Sequence, residues 1–215
     1  MTVGGRPLLP RKSPGDRHCL GLGWVPRDDR AVQRVAIVGS GGAGKSTLAR
    51  ALGERTGLPV VHLDEHYWRP GWVETPPDEW RARQAELCAE DRWIMDGNYS
   101  GTVDLRLAAA DTLVFLDLPR RVTIPGVLRR WARHHGREVQ APGCPERASA
   151  EFLRWLWAYP SGGRVRMLAA VDDHGRPDLT VVTLRSRRAI RRWLRDADAP
   201  GVSGRGRPGR RRGRW

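Results

Sequence analysis

The stretch RVAIVGSGGAGKST, residues 34–47, decides the fold of this chain. The run from Arg34 to Val38 predicts a short buried strand, and apolar residues recur at helical spacing from Lys45 to Arg55. Between them the sequence matches GxxxxGK[ST], in the strand-to-helix context that makes this motif specific. The match comprises Gly39, Ser40, Gly41, Gly42, Ala43, Gly44, Lys45 and Ser46.

Each residue type in this motif has a role in binding a polyphosphate. Glycines let backbone N–H groups turn towards phosphate oxygens without a clash from a Cβ atom, and the amino end of the following helix adds partial positive charge. We expect Lys45 to reach the β- and γ-phosphates of a nucleotide and Ser46 to offer its hydroxyl to Mg²⁺. The motif therefore predicts a nucleotide-binding loop.

Apolar runs and helical periods alternate along the chain on both sides of this loop. Strands are predicted at residues 34–38, 58–63, 92–95, 113–116 and 179–184, and helices at 45–55, 78–90 and 186–196. Thr75, before two prolines, is predicted to start the second helix. Continuous apolar strands separated by helices predict an α/β fold whose parallel sheet is covered on both faces. Ligands of such sheets bind beyond the carboxyl ends of the strands.

Several classes of nucleotide-binding protein are excluded by what the sequence lacks. It has no NKxD motif, which GTPases use to select guanine, and no LSGGQ motif of transporter ATPases. The chain of 215 residues is too short for a helicase with two such cores. A small nucleotide-dependent kinase remains.

Aspartates follow three of the predicted strands at the ligand-binding edge. Asp64 can orient an acceptor or take the proton from its hydroxyl group, and Glu65 and His66 are weaker candidates for the same place. Asp96 is a candidate to hold Mg²⁺ through water, with Asp117 as the competing candidate. Each could instead be a turn or helix-capping aspartate.

Arginine is concentrated between residues 120 and 137, and glycine and proline follow it. Phosphoryl transfer needs cations that neutralise equatorial oxygens and exclude water, so this segment predicts a small lid at about residues 120–150. A basic helix face is the alternative for any single arginine, but we expect at least one to act on phosphate. The arginines are Arg120, Arg121, Arg129, Arg130, Arg133 and Arg137.

Tryptophans lie close to Asp64 in the sequence. Trp68, Trp72 and Trp80 flank the predicted crevice and could stack on a planar acceptor, or pack in the core or lid. A zinc site is not predicted, because His134, His135 and Cys144 lack the spacing of zinc ligands.

Composition and charge bound the remaining possibilities. The formal net charge is +14, but residues 199–215 alone carry six arginines and no acidic residue. Residues 1–31 and 198–215 are rich in glycine, proline and arginine, and we expect both to be disordered around a domain at 32–197. Three widely spaced cysteines, no secretory signal and no long apolar run predict a cytoplasmic protein without a membrane span.

Several further blocks occur in a recognisable order. They read GSGGAGKSTLA, VVHLDEHYWRPGW, WIMDGNYSGTVDLRL, TLVFLDLPR, GCPER and EFLRWLWAYP. Over about residues 34–195 the chain resembles FlaR-type "DNA topology modulation" proteins, a P-loop kinase family related to adenylate kinase. The resemblance implies a P-loop NTPase fold like that of nucleoside monophosphate kinases, with a five-stranded parallel sheet in the order 2-3-1-4-5.

The resemblance also implies ATP as donor, Mg²⁺, and roles for particular residues. By this resemblance, the phosphate loop extends to Thr47 and the acceptor-site motif begins at Asp96. Arg106 is expected to contact an acceptor phosphate, and Arg130 and Arg133 are expected to be lid cations. One position departs from the adenylate-kinase pattern, because Gly126, preceded by Pro125, stands where an arginine near the adenine is expected. Proline and glycine are also expected to disturb a helix there.

The function predicted from the sequence is transfer of the γ-phosphoryl group of Mg-ATP to an unidentified acceptor, a nucleotide or a small hydroxyl compound. Lys45, Asp64, Arg130 and Arg133 would be catalytic, and Ser46 and Asp96 would hold the metal. Asp64, Trp68, Trp72 and Arg106 would bind the acceptor. One alternative is a nucleic-acid-associated regulator that uses ATP only as a switch and contacts phosphate backbones, with little sequence preference, through its basic tail. A further alternative is a plain ATPase.

Overall fold

Five parallel strands form the central sheet, as the apolar runs predict. The computed structural model describes residues 32–147 and 149–197, so the predicted disorder of residues 1–31 and 198–215 lies outside the described residues. Within the described part, no helix combines the length and apolar character that crossing a membrane requires. The strands are β1 (Arg34–Gly39), β2 (Val60–His62), β5 (Trp93–Asp96), β6 (Thr112–Leu116) and β7 (Thr180–Leu184), and a separate hairpin consists of β3 (Trp68–Arg69) and β4 (Val73–Glu74).

The strand order across the sheet is β2-β5-β1-β6-β7, with β1 in the centre. Counted without the hairpin strands, this is the predicted order 2-3-1-4-5. In register, Ile37 lies opposite Asp96 on β5 and Gly39 opposite Leu116 on β6. The phosphate loop therefore leaves the sheet from its middle, with the end of β5 directly beside it.

Helices cover both faces of the sheet. They are α1 (Lys45–Thr56), α2 (Leu63–Tyr67), α3 (Pro77–Ala89), α4 (Val103–Ala109), α5 (Arg120–His134), α6 (Ala150–Ala158), α7 (Gly163–His174) and α8 (Arg187–Asp196). Alternate residues of β1 enter different cores: Val35 and Ile37 pack with residues of α1 and α8, and Ala36 and Val38 with residues of α3, α4 and α7. This burial on both faces explains why the strands read as continuous apolar runs.

The helix predicted to start at Thr75-Pro76-Pro77 is confirmed as α3, which begins at Pro77. Thr75 does not cap it, because its hydroxyl donates to the carbonyl of Tyr67 at 2.6 Å. The expectation about α5 is wrong. Pro125 and Gly126 do not disturb α5, which runs unbroken through both. Buried Thr123 and Val127 anchor this part of the helix, so tertiary packing offsets the backbone hydrogen bond that Pro125 cannot make.

The second predicted strand is shorter than expected, and this changes where Asp64 lies. β2 ends at His62, and the chain turns at once into the five-residue helix α2. Asp64 is therefore in the first turn of a helix at the carboxyl edge of the sheet. At the far end of the chain, the predicted final helix is confirmed as α8, capped by Ser186, whose hydroxyl accepts a hydrogen bond from Ala189 N at 3.1 Å.

Candidate active site

The loop of the GxxxxGK[ST] motif, the predicted phosphate loop, has the strand-to-helix context that the sequence predicts. It follows β1 and leads into α1, whose amino end begins at Gly44 and has no side-chain cap. The first N–H groups of a helix lack intrahelical acceptors, so they are available to an anion. Gly42 has a φ of 73°, and a Cβ atom there would lie 2.3 Å from the carbonyl oxygen of Thr123. Only glycine suits that place, because the conformation is left-handed and α5 lies directly against it.

Lys45 folds back over the loop. Its Nζ donates to the carbonyl oxygens of Gly39 at 3.1 Å and Ser40 at 3.3 Å. Burial lowers the pKa of Lys45, and the carboxylates of Asp64 and Asp96 act in the opposite direction. The ammonium group is thus held where the loop would receive a polyphosphate, with two carboxylates close enough to influence it.

Ser46 and Asp96 meet at the carboxyl edge of the sheet. Ser46 Oγ donates to Asp96 Oδ2 at 2.6 Å, and His62 Nδ1 is hydrogen-bonded to the other carboxylate oxygen. That hydrogen bond raises the pKa of His62, against the effect of burial. A hydroxyl and a carboxylate side by side next to a phosphate loop are oxygen donors of the kind that Mg²⁺ prefers. The residues present therefore fit the expected metal.

Asp64 lies close to Lys45 and is hydrogen-bonded to Tyr99. The Tyr99 hydroxyl donates to Asp64 Oδ1 at 2.5 Å. Burial raises the pKa of Asp64, while this hydrogen bond and the charge of Lys45 oppose the shift. Burial also raises the pKa of Tyr99, and the neighbouring carboxylate adds to the effect. A carboxylate whose pKa is raised by its surroundings is a better proton acceptor than an exposed one.

The turn after β5 is held from two directions. Asn98 Oδ1 accepts a hydrogen bond from Gly39 N at 2.9 Å, which fixes the turn against the start of the phosphate loop. Arg106 is fully buried and donates to the carbonyl oxygens of Gly97, at 2.6 Å, and Asn98. Burial lowers the pKa of Arg106 to about 10. Arg106 thus supports the turn that carries Asp96, whereas the resemblance assigns it to an acceptor phosphate.

Arg130 lies on α5, at the start of the segment where the sequence predicts a lid. Arg130 is close enough to Lys45 and Asp64 to act on the pKa of both. Its charge adds to the lowering of the Lys45 pKa and opposes the rise that burial causes in the Asp64 pKa. Its Nε donates to Glu146 Oε1 at 3.0 Å, and Gln140 Nε2 donates to the other oxygen of the same carboxylate at 3.0 Å. Glu146 is only 3% exposed, so this ion pair is anchored in the protein rather than in solvent.

Residues 143–146, which we call the bridge segment, connect Arg130 to the β3–β4 hairpin. Gly143 O accepts a hydrogen bond from Gly71 N at 2.8 Å, and Cys144 Sγ donates to Arg69 O at 3.3 Å. Trp72 Nε1 donates to Pro145 O at 3.0 Å. The next residue, Glu146, holds Arg130. The bridge segment therefore contacts both the tryptophan-bearing hairpin and the cation that faces the phosphate loop.

The two candidate tryptophans belong to a row of aromatic rings. Trp68 packs edge-on against Tyr67, with ring centroids 4.9 Å apart, and against Trp72 at 5.4 Å. Tyr67 in turn lies 4.6 Å from Tyr99, the partner of Asp64. Trp80 is buried beneath Tyr67 and Tyr99. The row thus extends from the Asp64 carboxylate to the half-buried Trp72.

Other candidates lie outside this arrangement. Arg133 is exposed on α5 and forms no ion pair or hydrogen bond within the described ranges. Asp117, the competing metal candidate, is held by a bidentate contact from Arg164 at 2.8 and 3.1 Å. Arg120 stacks on the exposed Trp157, 4.7 Å from the ring centroid. In the described part of the chain, no cluster of three or more His, Cys, Asp or Glu side chains could hold a metal ion.

Four residues of the site were not singled out from the sequence. His62, Asn98 and Tyr99 lie inside the sequence blocks VVHLD and MDGNYSG, but no local pattern assigns them a partner. Glu146 lies in the block GCPER. Polar residues immediately beside Asp64 and Asp96 were the available signal for the first three.

The fold and the site together define a P-loop α/β protein whose motif loop lies beside two aspartates, Asp64 and Asp96. No family model matches the chain. It is 29% identical over 157 residues to the uncharacterized protein YqaC of Bacillus subtilis (strain 168), an alignment that covers 71% of this chain and 87% of YqaC. The resemblance to FlaR-type proteins therefore stays a prediction.

Solved structures that resemble this chain include three small-molecule kinases. A sugar kinase from Janibacter sp. HTCC2649 has 18% identity and a TM-score of 0.47, and the match covers 81% of this chain and 99% of that one. A shikimate kinase from Acinetobacter baumannii in complex with shikimate has 19% identity and a TM-score of 0.44, over 75% and 87% of the chains. A gluconokinase from Sinorhizobium meliloti 1021 has 19% identity and a TM-score of 0.44, over 80% and 93%.

Proposed function

We propose that this protein is an ATP-dependent phosphotransferase that moves the γ-phosphoryl group of Mg-ATP to a small-molecule acceptor. One observation carries the proposal. Lys45 lies on the phosphate loop between two groups: the Ser46–Asp96 pair, whose oxygens are 2.6 Å apart, and the Asp64 carboxylate, which is close enough to alter the pKa of Lys45. A structural glycine-rich turn has no need of a cation, a metal-binding pair and a second carboxylate at one point.

The donor half of the reaction falls to the loop and its neighbours. The loop from Gly39 to Thr47 and the amino end of α1 would bind the phosphates, with Lys45 beside the β- and γ-groups. The N–H groups of Gly39 and Ala43 donate instead to Asn98 Oδ1 and Ser40 O, so the remaining N–H groups of the loop would make these contacts. Ser46 and Asp96 would hold Mg²⁺, which offsets the charge of the phosphate oxygens when bound. Arg130 would stabilise charge on the equatorial oxygens of the transferring group.

The acceptor half falls to the other side of the crevice. Asp64 would orient the acceptor or accept its proton, and Trp68 and Trp72 would contact its body. The proposed contributions of Arg106 to acceptor binding and of Arg133 to the lid have less support, since Arg106 is committed to backbone carbonyls and Arg133 is exposed. The alternative of a nucleic-acid-associated regulator rests on the basic tail, which lies outside the described residues.

The test is ADP formation by the full chain with Mg-ATP, over a panel of nucleoside monophosphates and small hydroxyl compounds. We expect at least one compound to raise ADP formation above the rate with ATP alone, and to gain a phosphoryl group by mass spectrometry. Lys45→Ala should abolish this transfer, and Arg191→Ala, which removes a positive charge from the exposed side of α8, should leave it unchanged. Equal transfer by the Lys45→Ala protein would show that the loop does not carry the reaction.

A further inference from the structure

We infer that the phosphoryl acceptor is an uncharged compound with a hydroxyl group and an apolar face, such as a monosaccharide, a polyol or a nucleoside, and not a nucleoside monophosphate. This inference rests on the proposed function, whose acceptor it specifies. Three observations on residues 60–109, which we call the acceptor-side segment, carry it: their net charge, the engagement of their arginines, and the position of Asp64 at the end of the aromatic row.

The acceptor-side segment is acidic within a strongly basic chain. It contains ten Asp or Glu residues and five arginines, a formal net charge of −5, whereas the whole chain carries +14. A phosphate-bearing acceptor would bring about two further negative charges to the neighbourhood of Asp64 and Asp96 at neutral pH. Fields of one sign steer ligands of the opposite sign, so the segment opposes an anionic acceptor and not a neutral one.

None of the five arginines of the segment is free to bind an acceptor phosphate in the crevice. Arg69 pairs with Glu79 at 2.5 and 2.6 Å, Arg81 with Asp104 at 2.6 and 3.2 Å, and Arg83 with Glu86 at 2.9 Å. Arg106 is buried with its donors on backbone carbonyls. Arg92 precedes β5 and lines a groove with Arg34 and Asp111 at the opposite edge of the sheet.

The histidines of the segment do not supply the missing cation. His62 is hydrogen-bonded to Asp96, on the metal side of the site. Burial and the charge of Arg83 lower the pKa of His66, so it is neutral at physiological pH. Planar, bidentate recognition of phosphate ordinarily uses arginine. The charges of Lys45 and Arg130 act on Asp64, and the donor phosphates need both of these cations.

A hydroxyl acceptor, unlike a phosphate, needs a proton acceptor, and Asp64 supplies one. The hydroxyl oxygen attacks the γ-phosphorus and forms the new O–P bond, and the bond from the γ-phosphorus to the β–γ bridging oxygen breaks. ADP leaves with that electron pair, and the hydroxyl proton passes to the Asp64 carboxylate. A phosphate acceptor is already deprotonated, so a carboxylate at this place would only repel it.

The aromatic row gives the acceptor an apolar wall. Tyr67, Trp68 and Trp72 are half-buried rings in contact with one another, and Tyr67 reaches Tyr99 beside Asp64. Trp72 is held in the left-handed region, with a φ of 64°, by its hydrogen bond to Pro145 O. Bulky residues rarely adopt this conformation. Rings that lead to one carboxylate match a compound with an apolar face and a hydroxyl at its edge.

The test compares pairs of compounds that differ by one phosphate. The full chain with Mg-ATP is given adenosine or AMP, cytidine or CMP, D-glucose or glucose 6-phosphate, and glycerol or glycerol 3-phosphate, and kcat/KM is measured for each. We expect an uncharged member to be phosphorylated at least about tenfold more efficiently than its phosphorylated partner. Preference for the phosphorylated members, or no phosphorylation of any uncharged one, overturns the inference.

Two variants test the role of Asp64 independently of which compounds are compared. Asp64→Asn should lower kcat for the best uncharged acceptor about 1,000-fold while leaving the Kd for Mg-ATP within about threefold. Glu86→Gln, which removes an exposed carboxylate of the same segment, should change neither. Unchanged kcat in Asp64→Asn overturns the inference. Failure of the wild type to bind Mg-ATP in a calorimetric titration refutes the proposed function itself, and the inference falls with it.

Discussion

Replacing Gly126 by alanine tests how α5 seats the phosphate loop. Gly126 lies in the second turn of α5, and a Cβ atom there would be 2.7 Å from the carbonyl oxygen of Gly42. An ordinary van der Waals contact begins at 3.4 Å, so the loop or the helix must move by about 0.7 Å. The contact is with backbone, which cannot turn aside as a flexible side chain could.

Two effects of Gly126→Ala on stability have opposite signs. Alanine has a helix propensity about 1 kcal/mol better than glycine, which favours the variant. Overpacking a tight contact costs about 1–3 kcal/mol. We expect the clash to dominate and the free energy of unfolding to fall by about 1 kcal/mol. Displacement of the loop should also weaken one charge-assisted hydrogen bond to phosphate, worth about 1.5–3 kcal/mol, and raise the Kd for Mg-ATP roughly tenfold to a hundredfold.

Urea unfolding monitored by tryptophan fluorescence measures the stability, and calorimetric titration with Mg-ATP measures the affinity. Ala132→Gly is the matched control, since residue 132 is exposed on the same helix. It should lose about 1 kcal/mol of stability through propensity alone and bind Mg-ATP normally. If Gly126→Ala is instead stabilised by about 1 kcal/mol and binds Mg-ATP like the wild type, α5 does not pack on the loop as described.

Three further results are expected. Glu146→Gln should lower kcat about 100-fold by releasing Arg130, with little change in the Kd for Mg-ATP. Glu138→Gln, at an exposed position, should leave kcat unchanged. If Glu146→Gln has the kcat of the wild type, Glu146 does not position Arg130. Because burial raises the pKa of Asp64 and this residue must be ionised to accept a proton, the acid limb of kcat should lie above the ordinary range of aspartate, and a limb in that ordinary range would contradict this. Burial raises the pKa of the Cys88 thiol from 9.0 to about 11. The thiol's contribution to the free energy of unfolding is therefore complete below pH 9.0 and is lost as the pH rises through 11. Cys88→Ala should remove this dependence of the free energy of unfolding on pH.

The parts of the structure that the sequence predicts are those encoded locally. Apolar runs identify all five sheet strands, and the motif at residues 39–46 identifies the loop in its correct context. Pro125 shows the limit of such rules: taken alone it predicts a disturbed helix, but buried neighbours hold α5 in place. The predicted carboxyl end of β2 is also wrong, because Leu63 continues the apolar run in the sequence but belongs to helix α2.

The partners of the functional groups could not be predicted, because they come from distant points of the chain. Tyr99 is 35 residues from Asp64, and Pro145 is 73 residues from Trp72. Glu146 lies beyond the end of α5, 16 residues from Arg130. No periodicity or spacing encodes such pairs. The pairing of β2 with β5 brings Tyr99 close to Asp64, and the packing of the bridge segment against the hairpin brings Pro145 to Trp72.

The measurement that bears most directly on the phosphate loop is a calorimetric titration of Mg-ATP into the wild-type protein and into Lys45→Ala. We expect one nucleotide per chain for the wild type, and an increase in Kd of about tenfold to a hundredfold for the variant, the size of one lost charge-assisted hydrogen bond. A wild type that releases no heat of binding, or a variant that binds as tightly, would contradict the assignment of this loop to ATP.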